Sequence, residues 1–354
     1  MSLISAEALR DFVARAYVAV GISEPEARSI AALQVEADLR GSEGHGVFRL
    51  PQYIRRIKAG AVNVKPRIRI ERERAGTALV DGDNGMGHLV MKFAAEAAIA
   101  KAKVAGIGWA GAKMSNHAGP AALYAMMPLE AGMIGLYLAV GNANHLAPWG
   151  GLDMLLSTNP IAVAVPAKDE PPIVLDMATT VAAYGKVKMA AQRGEAMPVG
   201  WMIDREGKPL TDPKRANEGL LLPLGGMEAG FKGYGLSLVF GLLAGTLNGA
   251  AMGRSVIDFN NDDTSVTNTG HAVVAIDPEA FGDAAQFRAK VDALIRDIRG
   301  SKRLPGVERI WMPGEQSHLR YAQSVRDGVM LSGPLAASLD KLADDLGIAK
   351  LQRA

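Results

Sequence analysis

From Gly233 to Gly253 the chain carries no charged side chain, and Gly241, Gly245 and Gly249 recur at every fourth position. Such a stretch must be shielded from water over much of its length. It is either a membrane-spanning helix with a small-residue edge or a helix packed inside a protein. Ser237, Thr246, Asn248 and the glycine load favour the second, a buried helix whose glycine edge lets another backbone come close. A single span with folded-looking sequence on both sides would also be an odd membrane anchor, so no membrane association is expected.

With 354 residues the chain exceeds what one hydrophobic core usually serves, and two domains are expected. Hydrophobic residues at 49% against 21% charged exclude a wholly disordered chain. Lys and Arg (39) nearly balance Asp and Glu (37) and are dispersed, which argues against nucleic acid as a partner. The chain has no cysteine, so disulfides, thiolate metal sites and cysteine nucleophiles are excluded. This fits a cytoplasmic location, as does an N-terminus that reads as a capped helix start instead of an export signal.

Amphipathic periodicity predicts helices over about 5–20 and 24–40, and a third near 47–59. Alternating Arg and Ile at 67–74 predicts a strand, and 78–82 a second. An alanine-rich helix at 88–105 leads into a strand at 106–113. A helix follows at 120–130, then strands at 133–140, 161–166 and 173–175 and a helix at 181–193. Beyond the glycine-edged helix at 234–247 come a strand at 271–276 and a helix at 284–299. This order reads as α/β or mixed α+β, and it is too irregular for a (β/α)₈ barrel.

Gly106-Ile107-Gly108-Trp109-Ala110-Gly111 matches the dinucleotide fingerprint GxGxxG formally. It follows a helix and enters a strand, whereas a phosphate-cradling loop must follow a strand and open a helix. In a chain with 40 glycines it is read as a chance match. No GxxxxGK[ST], GxSxG or HExxH is present, and no two histidines lie three or four residues apart, so no metal site is expected.

Three polar clusters could carry chemistry. A helix starting near Gly46 would set His45 and Arg49 one turn apart on one face. A guanidinium there could grip a carboxylate while the imidazole moves a proton at the neighbouring oxygen, chemistry suited to a 2-oxo or 2-hydroxy acid. The alternative is a surface histidine beside a solvated arginine. His117, in Ser115-Asn116-His117-Ala118-Gly119-Pro120, lies between a strand and a helix start where an anion could dock, or else Asn116 merely caps that helix. Irregular loops at 141–151 and 157–160, and Asp176 to Thr180, follow short apolar strands, where sheet proteins place ligands. Lys232 stands at the mouth of the uncharged helix and could meet a phosphate.

The blocks Gly-His-Gly-Val-Phe-Arg-Leu-Pro-Gln-Tyr-Ile (44–54), Ser-Asn-His-Ala-Gly-Pro-Ala (115–121) and Ala-Pro-Trp-Gly-Gly (147–151) resemble one family. So do Ser-Thr-Asn-Pro-Ile-Ala (157–162), Leu-Asp-Met-Ala-Thr-Thr (175–180), Gly-Lys-Val (185–187), Thr-Asp-Pro (211–213) and Lys-Gly-Tyr-Gly-Leu (232–236). In order and spacing they are similar to the malate/L-lactate dehydrogenases, whose relatives include ureidoglycolate and sulfolactate dehydrogenases and piperideine-2-carboxylate reductase. The resemblance covers nearly the whole chain. It implies hydride transfer between NAD or NADP and C2 of a 2-hydroxy/2-oxo acid or cyclic imino acid. It also implies a homodimer with a non-Rossmann mixed-sheet cofactor domain.

The same resemblance makes His45 the proton donor and acceptor, or His117, as in some relatives, and Arg49 the carboxylate clamp. Thr158 would face the substrate. His117, Ala118, Gly119, Pro120, Ala121, Asp176, Met177, Ala178, Lys232 and the loop at Pro313, Gly314 and Glu315 would touch the cofactor. Residues 120–299 would form the cofactor domain, and 1–119 with 300–354 the substrate-binding and dimerisation domain.

Two departures stand out. Gly44 replaces the serine usual before the histidine, removing a hydrogen bond that would fix the imidazole tautomer, unless Ser42 or Glu43 substitutes. Ala118 replaces an aromatic residue, which implies an altered nicotinamide pocket. The leading reading is an NAD(P)-dependent oxidoreductase. Its rival is a non-catalytic or weakly active metabolite- or cofactor-binding protein on the same scaffold. A hydrolase built on His45 and Ser42 has little else to recommend it.

Overall fold

The apolar run Thr269–Ile276 is buried at every residue but the last, the pattern of a strand covered on both faces. In the computed structural model, which describes residues 2–352, it is the central strand of a seven-stranded sheet. The strands are β1 (Arg69–Glu73), β2 (Thr77–Asp81), β3 (Ile107–Ser115), β4 (Ile134–Ala139), β5 (Ile161–Val165), β6 (Ile173–Met177) and β7 (Thr269–Ile276). Their order is β1-β2-β3-β7-β4-β5-β6, and every pair is antiparallel except β2 and β3.

Ten helices accompany the sheet among the described residues: α1 (Ala6–Ala19), α2 (Glu24–Leu39), α3 (Leu50–Lys58), α4 (Gly87–Ala105), α5 (Ala122–Met126), α6 (Tyr184–Arg193), α7 (Gly226–Ala244), α8 (Ala284–Gly300), α9 (Glu315–Asp327) and α10 (Gly333–Leu346). α4 packs on one sheet face through small residues, Ala94, Ala95, Ala98 and Ala102 meeting Ala110 and Ala112. The formal GxGxxG belongs to this packing. Gly106 ends α4 at φ +79°, and a Cβ on Gly108 would stand 1.9 Å from the Ala98 carbonyl oxygen. One on Gly111 would stand 2.0 Å from Asn248 on the other face. Close helix–strand approach explains these glycines, and phosphate binding does not.

α7 covers that other face, and its small edge (Gly230, Gly233, Ser237, Gly241, Ala244) is buried. A Cβ on Gly233 would lie 2.3 Å from the Leu224 backbone. The close approach is as expected, but full burial is not. Phe231, Val239, Leu242 and, beyond the helix, Leu247 point outward and are 43–63% exposed. The helix is one-sided.

A second core joins α1, α2, α3 and α10 around Phe12, Tyr17, Ile30, Leu50, Ile54 and Leu339. Residues 2–4 and 329–331 pair antiparallel, tying the two chain ends to this helical unit. The boundary expected at 119/120 falls inside the sheet: β1–β3 lie before it and β4–β7 after it. β3 and β4 flank the same central strand. The sheet also shares one core with α4, while the helical core draws on 4–62 and 329–351, with Met86 and Phe259 added from outside those spans.

Candidate active site

The segment bearing His45 and Arg49 is not one helix. Two 3₁₀ turns, Glu43–His45 and Val47–Arg49, flank Gly46 at φ −89°, ψ −138°, and α3 begins only at Leu50. The break has a steric cause, because a Cβ on Gly46 would lie 2.2 Å from the Asp38 carboxyl group. Asp38 comes this close because its Oδ2 accepts the Val47 N–H at 2.8 Å. Burial raises its pKa to about 8 against the pull of that N–H. Gln34 holds the same turn, donating to the Gly46 carbonyl at 2.9 Å while accepting from the Tyr17 hydroxyl at 2.8 Å. A buried polar pair on α2 thus fixes the break.

The bend still brings His45 and Arg49 to one place. Arg49 Nε donates to the Gly44 carbonyl at 3.0 Å, and Nη1 donates to Gln52 at 2.7 Å and to Asn260 Oδ1 at 3.2 Å. Its guanidinium lies 5.3 Å from the centre of the Phe259 ring. His117 stacks on that ring at 4.9 Å and on His45 at 5.7 Å. Both histidines and Arg49 are half-buried, and the three groups predicted from separate motifs form one cluster around Phe259.

Nδ1 of His117 lies 2.5 Å from the Tyr53 hydroxyl and 3.3 Å from the Gly119 N–H. The N–H can only donate, so Nδ1 accepts and Nε2 carries the proton of the neutral ring. The His45 ring has no hydrogen-bond partner among the described residues, and neither Ser42 nor Glu43 reaches it. Burial first, then Arg49, lowers the pKa of His45 to about 4. Burial, then His45 and Arg49, drives His117 well below the imidazole range. Both rings are therefore neutral at pH 7.

Asn116 does not cap α5. Its side-chain amide donates to Asn84 and Gly85, and its backbone carbonyl meets Nε2 of the buried His271, whose Nδ1 faces the Tyr137 hydroxyl at 2.7 Å. This scaffold carries the turn that presents His117. Beside it lies His88, fully buried and without a partner for either ring nitrogen; its Nε2 would be 3.3 Å from a Cβ on Gly119, which has φ +81°. Burial lowers His88 to about 3.

The amino end of α5 does dock an anion, but a protein one. Asp176 Oδ2 accepts the Ala122 N–H at 2.9 Å, joining the end of β6 to the 118–121 turn. A carboxylate so placed suits a ribose hydroxyl better than a phosphate. Pro313 accepts the Val174 N–H at 3.0 Å, and Gly314 (φ +83°) would place a Cβ 2.7 Å from the Val174 carbonyl, so this loop lies against β6. Glu315 is buried and bound to Arg299, Arg309 and the Met312 N–H, which fixes the loop from behind. Thr158 accepts from Thr179 through its carbonyl, and Lys232 is exposed, 5.9 Å from the Phe231 ring.

One observation fits a nicotinamide, the ring nitrogens of His88 orphaned among the described residues behind Gly119, whereas Ala118 and Ala121 are packed into the sheet core. Tyr53, Phe259, Asn260 and His88 are site residues that motif reading did not identify. Tyr53 was open to discovery, four residues past Arg49 and thus one helical turn along. Phe259 lies in an irregular loop, where no periodicity marks it.

A neutral imidazole pair beside a guanidinium, carried on a mixed sheet, could move a proton at an oxygen next to a bound carboxylate. The sequence profile of the malate/L-lactate dehydrogenases matches residues 4–340. Malate dehydrogenase of Pyrococcus horikoshii is 40% identical over 348 residues, covering 97% of this chain and 95% of that protein. Its solved structure superposes with a TM-score of 0.90 at 38% identity, over 99% and 97% of the two chains. L-sulfolactate dehydrogenase of Methanocaldococcus jannaschii is 38% identical, covering 93% and 92%. Ureidoglycolate dehydrogenase (NAD(+)) of Escherichia coli K12 is 31% identical, covering 92% and 91%. The chain belongs to the malate/L-lactate dehydrogenase family. It is an NAD(P)-dependent oxidoreductase of small 2-hydroxy acids.

Proposed function

We propose that His45 is the group that takes the proton from the substrate 2-hydroxyl and returns it in the reverse direction. Arg49 holds the adjacent carboxylate, and His117 donates a hydrogen bond from Nε2. The observation that carries the reading is the unequal state of the two rings. His117 has its Nδ1 committed to Tyr53 and Gly119, whereas His45 is neutral, unpartnered and therefore free to accept a proton. A nicotinamide held beside them would supply or accept the hydride at C2. His117, Ala118, Gly119, Pro120, Ala121, Met177, Ala178 and Gly314 would line it, Asp176 would meet a ribose hydroxyl, and Lys232 a phosphate. Thr158 would face the acid.

The names of the relatives extend from malate to sulfolactate and ureidoglycolate, so a 2-hydroxy acid is the substrate class we favour over a cyclic imine. The outward apolar residues of α7 support a homodimer, with Val239 and Leu242 against a second copy; Val239→Asp with Leu242→Asp would then halve the mass in light scattering. We place the protein in the cytoplasm, consistent with the lack of cysteine.

The test is reduced-nicotinamide absorbance with NAD or NADP and a panel of 2-hydroxy acids. Turnover that falls at least ~100-fold in His45→Ala supports the reading. A loss confined to His117→Ala would exchange the two roles. Cofactor binding without turnover on any acid would leave the chain a binding scaffold.

A further inference from the structure

Next to Arg49 lies a cavity of about 270 Å³. Asn260 connects the two, since its side-chain oxygen accepts from Arg49 while the residue lines the cavity. A space of this size takes part of a small acid and is too small for a dinucleotide.

Its lining carries one lysine, one aspartate, two rings and four asparagines. Tyr184 and Lys188 stand one turn apart on α6, with the ammonium 5.5 Å from the tyrosine ring centre, and His145 stacks on Tyr184 at 4.0 Å. Lys188 has no carboxylate within ion-pair distance among the described residues. The one acid of the lining, Asp258, is committed to its own loop. Its Oδ1 accepts from the Asn260 N–H and amide, and its Oδ2 from the Asn261 amide at 2.8 Å. Burial and then Arg49 lower the pKa of Lys188, against the upward pull of Asp258, so the two cations sense each other. Arg49 beside the cavity and Lys188, an exposed residue that lines it and is ion-paired to no carboxylate among the described residues, make a pair of anchors for two negative groups on one small molecule.

Resting on the reading of Arg49 as the carboxylate clamp, we infer that Lys188 binds a second anionic group of the substrate, which makes this enzyme selective for dianionic over monoanionic 2-hydroxy acids. Tyr184 and His145 hold the α6 lysine toward the cavity, and the asparagine amides around it offer further donors. A carboxylate and a sulfonate would both satisfy this chemistry.

The experiment measures kcat/KM for lactate, malate and 3-sulfolactate in wild type, Lys188→Met and Lys188→Arg. The wild type is expected to prefer at least one dianion over lactate by more than tenfold. Lys188→Met should lose at least thirtyfold more on that dianion than on lactate, mainly through KM, and Lys188→Arg should restore most of the difference. Preference for malate over sulfolactate, or the reverse, identifies the second group. Equal losses on mono- and dianion, or a wild type without dianion preference, would overturn the inference while the proposed function stands. Absence of turnover on every acid would instead remove the proposed function, and the inference with it.

Discussion

The Tyr53 hydroxyl lies 2.5 Å from Nδ1 of His117, on the side of the ring where the Gly119 N–H also points. The Gly119 N–H fixes the tautomer, and the phenol, donating to the same nitrogen, sets the tilt of an imidazole carried by a different lobe.

Tyr53→Phe removes that bond and keeps the ring packing. One hydrogen bond is worth about 0.5–1.5 kcal/mol, which corresponds to a loss of up to about tenfold in kcat. KM for the acid should change little, because Arg49 is untouched. Steady-state kinetics on the two proteins check this, and an equal rise in KM would show that Tyr53 serves binding instead.

The depressed pKa of His45 sets the acid limit of hydroxy-acid oxidation. Protonated, the ring cannot accept a proton, so rate is lost as pH falls toward its pKa. With that value near 4, the acid limb of kcat/KM should lie below pH 6, where an ordinary imidazole is already mostly charged. A midpoint at 6.5 in the profile would contradict the assignment. The buried His88 and His271, lowered to about 3 and 4, also bind protons more readily unfolded than folded. Their contribution to stability is complete above pH 6.5 and is lost as pH falls toward 4. Melting temperature should decline over that window, less steeply in His88→Gln.

Arg49→Lys should raise KM for the acid by about 10–100-fold, since a charged hydrogen bond is worth about 1.5–3 kcal/mol and an ammonium cannot keep the bonds to Gly44, Gln52 and Asn260 while also meeting the acid. The cofactor KM should stay within about twofold. Separate titrations of acid and cofactor distinguish these effects.

Two neighbouring glycines should respond oppositely. Gly44 has open space where a Cβ would stand, so Gly44→Ser should keep its melting temperature. Its hydroxyl gives His45 a partner and should raise kcat, by up to about tenfold. Gly46→Ala drives a methyl into the Asp38 carboxyl group and should cost about 1–3 kcal/mol. Calorimetry and kinetics on both variants check the contrast.

Much of the site was legible because its chemistry lies in short blocks. His45, Arg49 and His117 each sit among glycines and prolines that mark a turn, and the structure gathers all three. What escaped depends on distant partners. The break at Gly46 is imposed by Asp38 across a helix. Asp176, read as a cofactor contact, also occupies the amino end of α5. The exposed side of α7 was hidden by composition, since an uncharged helix looks the same whether one face or all of it is covered. The sheet order was equally out of reach, because β7 enters between strands that precede it by more than 130 residues.

Phe259 belongs to the helical core, although the segment that carries it leaves and re-enters the sheet lobe. Gln52 clasps its carbonyl at 2.7 Å, and Arg56 the Ser265 carbonyl at 2.7 Å. The amino-terminal lobe expressed alone would therefore lack a piece of its own interior, and the aromatic plate under its arginine with it. Neither half is a self-sufficient module, and a chain cut between residues 248 and 268 should surrender the acid pocket before it loses the sheet.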